Sequence, residues 1–102
     1  MKTMQISPIH LQVGDKVLIY GAIVEVMHIV NAVETEIEGG IRIAACISRL
    51  VGEDMGAIPR AYFETPEQMT RRGCKFSHAL PDGLYWNVQG NAHALVSKVV
   101  PE

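Results

Sequence analysis

The stretch Val13-Gly14-Asp15-Lys16-Val17-Leu18-Ile19-Tyr20-Gly21-Ala22-Ile23-Val24-Glu25-Val26-Met27-His28-Ile29-Val30 decides the fold class. Val13-Gly14-Asp15 carries turn chemistry and launches a strand from Lys16 to Tyr20, which Gly21 then breaks or bends. The run from Ile23 to Val30 is dense in valine and isoleucine. Branching at Cβ fits a pleated surface better than a helical turn, so this run reads as strand. Both of its faces are largely apolar, which places it centrally in a sheet or covers it on both sides.

Downstream, Glu38-Gly39-Gly40 separates two alternating segments. A two-residue Gly-Gly loop would set acids beside isoleucines. A three-residue loop over 38–40 instead faces Ile37 with Ile41, Thr35 with Ile43 and Val33 with Ala45, and sets Glu36 against Arg42. A one-residue slip turns every side chain to the other face, so the apolar match predicts the second register, with Gly40 in the left-handed region.

Gly52 to Pro59 reads as loop. Thr65-Pro66-Glu67-Gln68 has the form of a helix start: Thr65 as N-cap, Pro66 at the first position, Gln68 completing a capping box. The helix continues through Arg71 and Arg72 and closes at Gly73, a length of about two turns. Pro81-Asp82-Gly83 is a further turn. Leu84 to Gln89 and Ala92 to Val100 flank Gly90-Asn91, and a primed two-residue turn there would face Trp86 with Leu95 and Val88 with His93.

These elements predict a single domain over residues 1–102: mostly β, with a strongly bent antiparallel sheet or small barrel of about five strands and one short inserted helix. The opening Val13-Gly14-Asp15-Lys16-Val17, followed by Gly21 and a valine-rich second strand, resembles the first hairpin of Src-homology-3-like small barrels. The resemblance covers about a fifth of the chain and implies a fold only, with no functional residues.

Composition bounds the function. A chain of 102 residues has room for one core. Its 48% hydrophobic and 20% charged content is that of a globular protein. The net charge of −2 disfavours a partner gripped mainly through phosphates, so nucleic acid is an alternative rather than the leading reading. Met1 to Gln12 holds no apolar core of signal-peptide length, the longest apolar stretch, Ala22 to Val33, is too short to span a bilayer, and two cysteines do not suggest a secreted disulfide framework. A cytoplasmic location with reduced thiols is the expectation.

Candidate chemistry is sparse. Cys74 and His78 lie four apart, and Cys46 is a second thiol, but paired Cys-x-x-Cys spacing is absent, so neither a metal nor a cofactor is expected. Cys74 follows Arg71 and Arg72 and precedes Lys75, a setting that favours a thiolate. A thiol enzyme centred on Cys74, with His78 or His93 as base, is therefore an alternative reading. Arg71, Arg72 and Lys75 form the one concentrated positive stretch, a candidate for anion or nucleic-acid contact. Tyr62 and Phe63 precede the capped helix, where aromatics would suit a recognition surface. The leading expectation is a non-enzymatic binding module that recognises a protein partner through the 52–82 insert by way of Tyr62, Phe63, Arg71, Arg72 and Lys75. Its high aliphatic content also predicts self-association.

Overall fold

The computed structural model describes residues 1–34 and 41–101. Among them six strands form one sheet: β1 (Lys2–Ile6), β2 (Lys16–Ile19), β3 (Ala22–Glu34), β4 (Ile41–Leu50), β5 (Tyr85–Asn91) and β6 (Val96–Val100). One helix, α1 (Pro66–Arg71), lies in the long insert between β4 and β5. The sheet order is β1-β6-β2-β3-β4-β5, with every neighbouring pair antiparallel. The mostly antiparallel-β fold with one short helix is the one the sequence predicts, and β1 is the strand added to the expected five.

β2 and β3 are joined by Tyr20-Gly21, with Ile19 facing Ala22 across the turn. Both loop residues have positive φ (49° and 84°), the geometry of a primed turn that matches the twist of its strands. The 52–58 loop seats on this turn. Ala57 N–H donates to the Tyr20 carbonyl at 2.7 Å, and a Cβ on Gly56 would stand 2.2 Å from that oxygen.

β3 is central, as its two apolar faces predict, lying between β2 and β4. On one face Val17, Val24, Val26, Cys46, Leu50 and Val88 form the main core, joined by Leu11, Ile58 and Phe63. On the other, Met69, Leu80 and Tyr85 form a second cluster, against which Met27, Ile47, Cys74 and Phe76 pack. Period-two alternation separates the sets: Cys46 and Leu50 point to one side, Ile47 to the other.

The β3–β4 register differs from the predicted one. Val33 faces Arg42 rather than Ala45, Ala45 faces Val30, and Ile43 faces Ala32. The ladder is anchored at its far end, where Val24 faces Leu50 and Val26 faces Ser48 within the core, and a bulge between Val26 and His28 shifts the rest. Arg42 accordingly donates to Asn31 Oδ1 at 3.0 Å. The predicted loop at 38–40, with Gly40, lies outside the described residues.

The predicted terminal hairpin is also corrected. β5 pairs with β4, so Trp86 faces Ser48 and Val88 faces Cys46, while β6 pairs with β1 and β2. Leu95, the expected partner of Trp86, is exposed. Gly90 does not take a positive φ. Its missing side chain admits close packing, since a Cβ there would meet Ala94 Cβ at 2.7 Å and Pro8 Cγ at 3.3 Å. Asn91 makes the turn instead, its Oδ1 accepting from His93 N–H and its carbonyl from Ala94 N–H.

Among the described residues no ladder joins the edge strands β1 and β5, so the sheet is bent rather than closed by backbone pairing. Its two edges are tied at one corner, where Ser7, just after β1, donates its hydroxyl to the Asn91 carbonyl at 2.8 Å.

Candidate binding groove

The insert between β4 and β5 starts on the core face, where Ile58 and Phe63 are buried, and ends on the opposite face, where Met69 and Leu80 are buried. It crosses from one to the other around the edge of β5. At the crossing Glu64 pairs with Tyr85: Glu64 N–H donates to the Tyr85 carbonyl at 3.1 Å, and Tyr85 N–H donates to the Glu64 carbonyl at 2.8 Å. The Thr65 capping box then starts α1 as the sequence predicts, with Thr65 Oγ1 accepting from Gln68 N–H and Gln68 Oε1 accepting from Thr65 N–H.

Beside this crossing lies an open groove of about 550 Å³. Tyr62 and Tyr20 stand at its rim, 64% and 68% exposed, and the half-buried Trp86 lies within it. The Trp86 ring sits 6.3 Å from Tyr62 and 6.0 Å from Phe63, centroid to centroid. Ile19 and Val96 contribute the wall opposite β5. Arg72 closes one end, holding Glu64 in a two-pronged hydrogen bond at 2.7 and 2.8 Å. That bond holds the Glu64 carboxyl below its ordinary pKa and raises the Arg72 guanidinium.

The predicted site residues are therefore divided. Tyr62 and Arg72 reach the groove. Phe63 does not serve as a surface aromatic: at 2% exposure it anchors the insert to the core. Arg71 pairs with Glu67 one turn back along α1, and Arg72 with Glu64, so two of the three clustered cations are already bonded to carboxylates. Lys75 is exposed and makes no ion pair among the described residues. A second cleft, of about 610 Å³, brings Lys16 and Arg49 together with Glu25 and Glu53, mixing both signs of charge without an aromatic wall.

The thiols go separate ways. Cys46 is fully buried beneath Pro8, and desolvation pushes its thiol up to about 11. Cys74 is half-buried against the second cluster. His78 Nδ1 lies 3.2 Å from the Ser77 hydroxyl, and its ring stands 6.3 Å from that of His28, which meets Phe76 edge-on. His93 belongs to the Asn91 turn. Among the described residues no hydrogen bond joins Cys74 to His78 or His93, and no three His, Cys, Asp or Glu side chains gather as a metal-ligand set.

Tyr20, Trp86, Asn87 and Gln89 also line the groove, and sequence reasoning does not assign them there. One signal points to them. Tyr85-Trp86-Asn87-Val88-Gln89-Gly90-Asn91 is seven residues without a charge, whereas exposed strand edges commonly carry lysine, proline or other charge as protection. Among the described residues no helix is long and apolar enough to cross a membrane. No family model matches the chain, and comparisons with curated proteins and with solved structures return no match.

Proposed function

We propose that the chain is a non-enzymatic binding module and that it recognises its ligand in the groove beside β5. The observation that carries this reading is the exposed aromatic wall. Tyr62 and Trp86 lie within 6.3 Å of each other over a concave surface, and Tyr20 is displayed there by a hairpin that holds it at positive φ. Aromatic rings offer large contact area at small entropic cost, and a non-glycine residue in the left-handed region is a local cost that surrounding structure must maintain. The 52–82 insert takes part through Tyr62 and Arg72. Self-association is part of the same proposal and is supported by the high aliphatic content of the chain. Within one chain β3 meets an apolar cluster on each side, through Val24 and Val26 on one and Met27 on the other.

The test is an NMR titration of the isotope-labelled chain with a mixed library of small aromatic compounds and short peptides. Shifts are expected to concentrate at Tyr20, Tyr62 and Trp86 to Gln89, and Tyr62→Ala should weaken the hits about tenfold, the loss of one aromatic anchor. Hits that gather instead around Lys75, or at Cys74 and His78, and are indifferent to Tyr62→Ala, would refute it.

A further inference from the structure

Four consecutive residues of β5, Trp86 to Gln89, line the same groove. In a strand, neighbouring side chains point to opposite faces, so a groove that touches four in succession runs along the strand's edge. The direction of the backbone groups follows from the bonds already made. Tyr85 N–H and C=O both bond Glu64, which lies on the side away from β4. Leu84 C=O accepts from Leu50 N–H, so Leu84 faces β4. Period two then turns Asn87 and Gln89 outward, with Trp86 and Val88 bonded to β4. The edge is stopped at both ends, by Glu64 on Tyr85 and by the Ser7 hydroxyl on the Asn91 carbonyl. Between these stops the N–H and C=O of Asn87 and Gln89 have no protein partner among the described residues.

We infer that this window is a strand-addition site: an extended peptide segment of a partner protein pairs its backbone with Asn87 and Gln89 and lays alternate side chains against Trp86 and Tyr62. This deepens the binding-module reading and rests on it. Three observations select the occupant. The edge already accepts one extended residue, Glu64, through a two-bond antiparallel bridge, so the pairing geometry is in place. Only two residues offer outward groups, and strand residues advance about 3.3 Å each, so the window of roughly 10 Å fits a peptide rather than the full edge of a second folded sheet. Tyr20 and Tyr62 rise on the rim and recess the edge. The chemistry of the segment follows from the walls. β5 carries no charge, and Arg72 is bonded to Glu64, so the favoured segment is uncharged. It is apolar at the positions facing Trp86 and polar at those beside Asn87 and Gln89, whose side chains bond each other at 2.8 Å. Backbone bonds supply affinity in this mode and alternate side chains supply specificity.

The experiment selects a displayed library of random decapeptides on the full chain, with binding read by the emission of Trp86, the one tryptophan. Enrichment of uncharged, alternately apolar sequences is expected. Gln89→Pro removes one outward N–H without touching the ladder to β4, and should weaken the selected peptide at least tenfold while the melting midpoint stays close to the parent's. Two N-methylated versions of that peptide, blocked on one edge or the other, supply the same test from the ligand side: one should bind as the parent peptide does and the other should fail. Selected peptides that move Trp86 emission yet are indifferent to Gln89→Pro and to both methylations would keep the groove as a binding surface and overturn strand addition. No enriched peptide at all would overturn it too, leaving the groove to ligands of another class. Dimerisation of the chain that disappears in Gln89→Pro would assign the edge to a second copy and overturn the peptide reading.

Discussion

Replacing Gly56 with alanine tests how the insert is held to the sheet. Gly56 has φ +57°, and a Cβ added there would lie 2.2 Å from the Tyr20 carbonyl oxygen, 2.6 Å from Gly21 C and 2.7 Å from Ala22 N. All three are backbone atoms of the β2–β3 turn, so no side-chain rotation relieves the contact. The left-handed conformation alone costs an alanine ~1 kcal/mol. Forcing backbone apart by more than an ångström adds ~1–3 kcal/mol, the usual range for overpacking. The sum, ~2–4 kcal/mol, is a large part of the ~5–15 kcal/mol that stabilises a chain of this size. It corresponds to a drop in melting temperature of roughly 10–25 °C. Gly52→Ala is the internal control: φ there is +75°, but nothing lies within 4 Å, so only the conformational cost applies. Urea unfolding followed by Trp86 fluorescence measures both. Equal losses for the two variants, within about 0.5 kcal/mol, would refute the seating of the 52–58 loop on the Tyr20-Gly21 turn.

Thr65→Ala removes the capping hydroxyl from Gln68 N–H and should cost about 1 kcal/mol in the same unfolding assay, with the melting curve of Thr65→Ser close to the parent's. Ellman's reagent on the native chain should titrate Cys74 and leave Cys46 unreacted until denaturant is added, because Cys46 is buried and its thiol stands near 11. A folded-state value raised from the ordinary 9.0 favours the protonated thiol, so its contribution to stability is complete below pH 9 and is lost as pH rises toward 11; Cys46→Ala should flatten that alkaline limb. Glu64 works in the opposite direction: its carboxyl is held below 4.5 by Arg72, so the pair's contribution is present above that pH and lost as pH falls through the folded-state value. Melting temperature should therefore decline less steeply on acidification in Glu64→Gln than in the parent, and parallel declines would contradict the role of the pair.

What the sequence discloses is what neighbouring residues settle among themselves. The capping box at Thr65 to Gln68 and the turn at Gly14-Asp15 are decided within a few positions, and both form as read: Gly14 takes φ +98° and the Asp15 carboxylate accepts from Gln12 N–H. The aliphatic density of Ile23 to Val30 likewise places β3 centrally. Partner choice is another matter. Gly90-Asn91 has the chemistry of a primed turn, yet β5 finds its neighbour in β4, nearly forty residues earlier for Trp86 and Ser48, since burying Val88 against Cys46 outweighs a local turn preference. Gly90 is a glycine because Pro8 and Ala94 crowd it, and a contact across the whole chain has no local signature. The groove was legible in the same uneven way. Tyr62 announces itself as an aromatic before a cap, but Tyr20, Asn87 and Gln89 become site residues only when β5 is seen to be an edge.

The pairing of β1 with β6 bears on how this molecule comes into being. Lys2 faces Val100, so β1 has no strand partner until almost a hundred residues later in the chain. The insert waits as well, since Glu64 needs Tyr85 and Phe63 packs near Trp86. Contacts of such sequence separation close slowly, because each must first overcome the entropy of a long loop. Until β6 is synthesised, β1 has no partner and β2 keeps one edge open, and that interval is when chaperones and aggregation compete for the nascent chain.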